Sequence, residues 1–400
     1  MSFSPTPDQQ ARYAIAMIAN LGQRYAGSGA AQSALGDIKN GLRSMQDKIG
    51  TWSVVWGPAL YFKDASGNPD NIMYVAQQAG TSNYVIGIAG TNFANTFDFV
   101  YEDLGVLGTV PWMLLGAPAG AAISDGTYLG LANLLNTPAS AETLQAGVKI
   151  QDFLAAESKK GALNLAVAGH SLGGALAPTL ALYLQNVSLL WDASKKSTVM
   201  TMPVAGPTPG NKIFADYLNA TVKVDGFYND RDVVPHVWAA SDLSDLATLY
   251  GETDLVGGFI AGIASGIATL ATNGFNYTPT ERTELESSVI LGKNYFEQSG
   301  FQLLYAYDLF FFDNQIQPAL HPPSTESQPV QIPSTLADAV KNAGGTIPSY
   351  VEVVPPRPLK EVTIGKKTFK VPASADAEQI RQAVLATAPH FGEALGIKAG

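Results

Sequence analysis

In Gly169-His170-Ser171-Leu172-Gly173, a serine stands with glycines two residues to either side. A serine hydroxyl is a weak nucleophile. It becomes a useful one when a base takes its proton, an acid orients that base, and hydrogen-bond donors await the negative oxygen that forms on attack. The two glycines suit a sharp strand-to-helix turn, where side chains would collide with the neighbouring backbone. Such a turn lifts the serine to the N-terminus of the following helix, whose dipole favours negative charge. Ser171 is therefore the expected nucleophile, and Gly169, His170 and Gly173 form the elbow around it.

With four histidines in the chain, the search for a base is short. His170 adjoins the serine, is badly placed to take its proton, and is expected to pack beside the sheet. His236, His321 and His390 all follow the serine, as a serine–acid–histidine order requires. His321, in QPALHPP at the end of the main body, is the expected base. His236 and His390 are the alternatives. For the acid, FYNDRDVVPH follows a predicted strand and offers Asp232, with Asp230 as fallback. His236 shares that loop and is expected to line its rim. The amide of Leu172, just after the nucleophile, supplies one oxyanion donor. Thr91, after the strand-and-glycine pattern VIGIAG, is the expected second.

These residues need a scaffold, and the hydrophobic patterning supplies one. Thr6-Pro7-Asp8 opens a helix as N-cap, first-turn proline and first-turn acid, followed by the stripe Ala14, Met17, Ile18 and Leu21. Strands are predicted at 53–62, 72–77 and 84–89. Beyond them helix and strand alternate: helix 141–160, strand 163–168, helix 173–187, strand 198–204, helix 211–218 and strand 222–228. That alternation predicts an α/β fold with a mostly parallel sheet flanked by helices and an antiparallel edge on its N-terminal side. Residues 239–295, with glycines at 258, 262 and 266, read as helical insertions, and together with 92–124 they are the expected lid or cap. The main domain is placed at 1–325. Residues 326–400 read as a Pro-rich linker and a small α+β appendage, with EVTIGKKTFKVP as a hairpin and a helix after Ser374.

The net charge of −10 argues against nucleic acid or an anionic membrane as an obligate partner. The acidity belongs to residues 1–320, which carry 16 basic against 27 acidic side chains, whereas residues 321–400 carry 8 against 7. The absence of cysteine removes disulfides, thiolate nucleophiles and Cys-ligated metals. No cofactor or metal is expected. The uncharged stretches 104–124 and 255–277 are broken by proline or by glycine and polar residues, so no integral span is expected. MSFSPTPDQQ lacks a basic start and an early apolar core. The expectation is a cytoplasmic protein or one exported without a signal, extracellular if a leader has been trimmed.

Four blocks, in order, carry a family resemblance: IAGTNFANTFDFVYEDL, VAGHSLGGALA, VAGPTPGNKIFADYL and NDRDVVPH. Together they span roughly residues 80–240 and resemble the class 3 lipases, the fungal-lipase-like branch of the α/β-hydrolases. Ala89 stands where the family's oxyanion block usually has arginine, and His321 is followed by Pro-Pro where the family has His-x-x-Tyr. The resemblance selects Asp232 over Asp230. It implies Ser171, Asp232 and a late histidine as triad, Thr91 and Leu172 as oxyanion donors, and carboxylic-ester hydrolysis through an acyl-enzyme. Lipid esters such as triacylglycerols are the implied substrates, met at a lipid–water interface. Short-chain, feruloyl-type or phospholipid esters are the alternatives on the same fold, and an inactive lipid-binding module is a remote one.

Overall fold

Strand and helix alternate along the central sequence because successive apolar runs of period two and period 3.6 each have one face to bury. A computed structural model of the chain describes residues 3–63, 67–90, 109–114, 116–243, 249–250, 276–287, 295–321, 359–364 and 367–372. Its main sheet contains β1 (Trp52–Tyr61), β2 (Asn71–Gln78), β3 (Asn83–Ile88), β6 (Asn164–His170), β7 (Thr198–Val204), β8 (Lys223–Val224), β9 (Gly226–Asn229) and β10 (Arg282–Leu285). The order is β1-β2-β3-β6-β7-β9-β10, with β8 beside β7. β1, β2 and β3 pair antiparallel, and every pairing from β3 to β10 is parallel. The predicted antiparallel edge and parallel centre are both present.

Alternation along the strands divides the core. Met73, Val75, Ile86, Ile88 and Val167 face one layer with helices Asp125–Asn136, Ile150–Ser158, Leu172–Asn186 and Lys212–Thr221. Tyr74, Ala76, Val85, Ala166 and Ala168 face the other, with helices Pro7–Ala19, Ala30–Ser44, Tyr295–Leu304 and Ala306–Phe311. The first helix starts as its sequence dictates. Thr6 Oγ1 accepts from the Gln9 N–H, and Gln9 Oε1 accepts from the Thr6 N–H at 2.8 Å, a reciprocal cap.

Three expectations need correction. The helix placed at 141–160 begins only at Ile150. Before it Glu142, Gln145 and Gly147 have positive φ, and Leu144 bridges Gly57 of β1, so the backbone is turned away from helix. The 92–124 segment is not helical where described: β4 (Thr109–Pro111) and β5 (Ala122–Ser124) form a short antiparallel pair. Nor is 239–295 wholly helical, because β10 extends the parallel sheet from within it. Ala240–Leu243 is a short helix within the second segment, whereas residues 92–108, 115, 244–248, 251–275 and 288–294, the 326–358 linker and the helix after Ser374 lie outside the described residues. The predicted hairpin at 361–372 is observed as β11 (Leu359–Ile364) and β12 (Lys367–Pro372). Among the described residues no helix is long and apolar enough to cross a membrane.

Candidate active site

β6 ends at His170 and a helix begins at Leu172, so a single residue, Ser171, must reverse the chain. It does so with φ 58° and ψ −124°, in the left-handed half of the map that a residue with a side chain rarely occupies. Two backbone bonds hold the turn: the Ser171 N–H donates to Val204 O at 3.1 Å, and the Gly174 N–H donates to Ser171 O at 2.7 Å. The glycines have a steric cause. A Cβ on Gly169 would sit 2.0 Å from Gly173 O, and one on Gly173 would sit 2.4 Å from Ile88 O. Ser171 is buried, at the head of helix Leu172–Asn186. Leu172 is the first residue of that helix, so its amide is among the N–H groups with no intrahelical acceptor.

The end of β3 lies against the serine. A Cβ on Gly90 would come within 3.0 Å of Ser171 Cβ and 3.6 Å of its Oγ. Thr91 follows directly and lies outside the described residues.

Asp232 emerges at the carboxyl end of β9, as expected, and is buried. Oδ1 accepts from the Val234 N–H at 3.0 Å, and Oδ2 accepts from the Tyr307 hydroxyl at 2.9 Å. Burial outweighs these two hydrogen bonds and pushes the carboxyl group up to about 7. Asp230, the fallback, instead caps the sheet edge by accepting from the Ser287 N–H at 2.7 Å.

His321 does not meet Asp232 through any hydrogen bond among the described residues. Its Nε2 lies 2.9 Å from Oδ2 of Asp308. Asp308 is itself buried, with Oδ1 accepting from the Tyr13 hydroxyl at 2.7 Å and Oδ2 from the Gln317 N–H at 2.6 Å. The Tyr305 ring covers His321, with centroids 4.5 Å apart. Tyr307 and Asp308 are consecutive on one helix, so adjacent residues bind the expected acid and the expected base. Sequence reasoning passed over both, because neither stands in a motif and the partner Tyr13 is 295 positions away.

The other histidines fall as their neighbours dictate. His170 is buried beside the sheet, with Nε2 2.8 Å from Leu303 O, and burial lowers its pKa to about 4. His236 Nδ1 lies 2.6 Å from the backbone oxygen of Asp232, and its ring packs edge-on against Tyr228. His390 lies outside the described residues. Among the described residues no three His, Asp or Glu side chains group as metal ligands.

Residues 130–241, which hold the elbow and the Asp232 loop, match the family model for class 3 lipases. Among solved structures, M37 lipase is similar at 28% identity and a TM-score of 0.68, over 76% of this chain and 92% of its own. A lipase from Rhizopus microsporus var. chinensis matches at 18% identity and a TM-score of 0.42, over 60% of this chain and 72% of its own. Lipase II from Rhizopus niveus matches at 20% and 0.42, over 60% and 78%. No curated protein sequence matches the chain.

Proposed function

The chain carries the class 3 lipase signature on an α/β-hydrolase fold, and on that premise we propose a serine carboxylic-ester hydrolase that acts on lipid esters. The observation that carries this reading is the strained Ser171, held at positive φ on a glycine-cleared turn with Gly90 against it. Strain of that kind costs about 1–3 kcal/mol and persists where it places a functional atom.

In this reading Ser171 Oγ attacks the ester carbonyl carbon as His321 removes its proton. The carbonyl π electrons move to oxygen, where the amides of Leu172 and Thr91 receive the charge. Collapse expels the alcohol, protonated by His321, and leaves an ester on Ser171. Water then attacks with the same proton transfers, releases the acid and restores the serine. Asp232 is the orienting acid by motif order. The contact between His321 and Asp308 favours a second reading, in which Asp308 holds the imidazole and Asp232 fixes the Tyr307 next to it.

The similarity to M37 lipase supports lipid esters as substrates. An active-site phosphonate tests the chemistry: it should label one serine, and Ser171→Ala should abolish labelling and reduce kcat by about 10⁴–10⁶. Retained turnover in that variant would sink the proposal. A chain-length series run below and above substrate solubility tests the substrate class; a preference for short soluble esters with no rise on emulsified substrate would move the assignment to a short-chain esterase.

A further inference from the structure

Asp308 is fully buried, and a carboxylate there is costly unless donors meet it. Three donors do, and they are divided unevenly. Oδ2 accepts from the Gln317 N–H at 2.6 Å and lies 2.9 Å from His321 Nε2. Oδ1 accepts from the Tyr13 hydroxyl at 2.7 Å. Gln317 and His321 flank a single 3₁₀ turn, Pro318–Leu320, so a late loop holds one oxygen and the first helix holds the other. The torsion that turns a carboxylate about its own axis is broad and soft. Two donors on one oxygen leave that turn free; a donor on the second oxygen closes it.

Packing alone does not call for a hydroxyl here. The Tyr13 ring stacks on Phe311, with centroids 4.5 Å apart and planes 11° from parallel, and tilts against Phe312. Phenylalanine would keep both contacts. What tyrosine adds is a donor aimed three residues back, since Asp308 and Phe311 both lie on helix Ala306–Phe311. Residues three apart share a helix face, so one side chain grips that face twice. Gln10, a turn earlier on the first helix, adds another tie by donating to Phe311 O at 2.7 Å. Burial and the Asp308 charge hold the phenol's pKa well above its ordinary value, so it remains a donor.

We infer that Tyr13 is a positioning residue for the base: its hydroxyl fixes the turn of the Asp308 carboxylate and so aims Oδ2 at the His321 imidazole. The inference deepens the proposed ester chemistry and rests on the reading that gives His321 to Asp308. The contact with Oδ2 is the imidazole's one hydrogen bond among the described residues. The Tyr305 ring, with its centroid 4.5 Å away and its plane tilted by 40°, limits where the imidazole lies but supplies no such direction. Without the phenol, Oδ1 is buried with no donor. The carboxylate then turns to share the Gln317 and His321 donors between its two oxygens, and the imidazole turns with it. A general base must lie within hydrogen-bond reach of the proton it removes, so that turn is felt in the rate.

The test compares three variants on a short soluble ester, with the phosphonate labelling rate and thermal unfolding measured alongside. Tyr13→Phe removes only the hydroxyl. Tyr13→4-aminophenylalanine keeps the ring and a weaker donor. Gln10→Met loosens the same helix contact without touching the carboxylate. General-base catalysis contributes about 10²–10⁴, and a misaimed imidazole forfeits part of it, so Tyr13→Phe should lower kcat by about 5- to 50-fold. KM should stay within about twofold, labelling should slow in parallel, and the amino variant should fall between Tyr13→Phe and wild type. Gln10→Met should lower the melting temperature and leave kcat within about twofold of wild type. Wild-type kcat in folded Tyr13→Phe would overturn the inference, as would an equal fall in Gln10→Met, which assigns the effect to loosened packing. Should Tyr13→Phe fail to fold, the amino variant decides: a fall of about two- to fivefold supports the inference and an unchanged kcat overturns it. If Asp308→Asn matches wild type while Ser171→Ala is inactive, the reading that gives His321 to Asp308 has failed and the inference falls with it. Retained turnover in Ser171→Ala marks failure of the ester chemistry itself.

Discussion

Replacing Asp308 by Asn asks how much of His321's competence depends on the carboxylate it touches. Three donors converge on that carboxylate: the Tyr13 hydroxyl at Oδ1, and the Gln317 N–H and His321 Nε2 at Oδ2. An amide has one oxygen and one NH₂ group. The least costly orientation turns the NH₂ toward Tyr13, whose hydroxyl oxygen can accept, and keeps the amide oxygen for Gln317 and His321. The hydrogen bond to the imidazole then survives while its charge assistance is lost. Hydrogen bonds to charged groups contribute about 1.5–3 kcal/mol and neutral ones about 0.5–1.5. The difference, about 1–2 kcal/mol, corresponds to roughly 5- to 30-fold in kcat. Steady-state kinetics on a soluble ester should show that loss with KM nearly unchanged, and thermal unfolding should confirm that the variant is folded. Asp232→Asn measured in parallel separates the two readings of the acid. A loss near 10⁴, as for the corresponding change in a serine protease triad, assigns the role to Asp232; a loss no greater than that of Asp308→Asn assigns it to Asp308. Asp308→Asn activity within twofold of wild type would refute the reasoning about the contact.

Two further outcomes follow from burial and space. Asp232 is raised from 3.8 to about 7 in the fold, so its contribution to stability is fully present below 3.8 and is lost as pH rises through 7. His170 is lowered from 6.5 to about 4, so its contribution is present above 6.5 and is lost as pH falls through 4. The two slopes oppose one another between about pH 4 and 6.5. Asp232→Asn should unmask the histidine slope, with a melting temperature that climbs across that window and exceeds wild type above pH 7; a parallel pair of pH–Tm curves would contradict this. Substituting alanine for glycine should have opposite signs at two sites. Gly173→Ala forces a Cβ to 2.4 Å from Ile88 O and should destabilise by about 1–3 kcal/mol or more. Gly36, exposed inside helix Ala30–Ser44 with nothing near its Cβ, should gain about 0.5–1 kcal/mol as alanine. Denaturant unfolding of both variants checks the pair.

The elbow was readable because its physics is local: strand, Gly-x-Ser-x-Gly and helix are contiguous, and the steric demand falls on residues two apart. The capped first helix was readable for the same reason. β10 was not, since Arg282-Thr283-Glu284-Leu285 is a short edge strand with little apolar content, set in a segment whose glycine- and alanine-containing run at 257–274 reads as helix. The partner of His321 was hidden for another reason. A histidine in a predicted loop names no acid, and Asp308 shows its role only when Tyr13 and Gln317 close around it.

The hydrogen bond between Tyr13 and Asp308 spans 295 positions, and it is reinforced by Gln10, which donates to Phe311 O at 2.7 Å, and by the stacked rings of Tyr13 and Phe311. During synthesis at about 5–20 residues per second, the first helix would leave the ribosome roughly 15–60 s before these partners exist. For that interval its apolar face, from Tyr13 to Ala19, lacks the last helices that cover part of it. The nascent chain therefore holds its first helix long before the partners that cover it, and the time of greatest exposure to aggregation or to holding chaperones is written into the distance between two side chains.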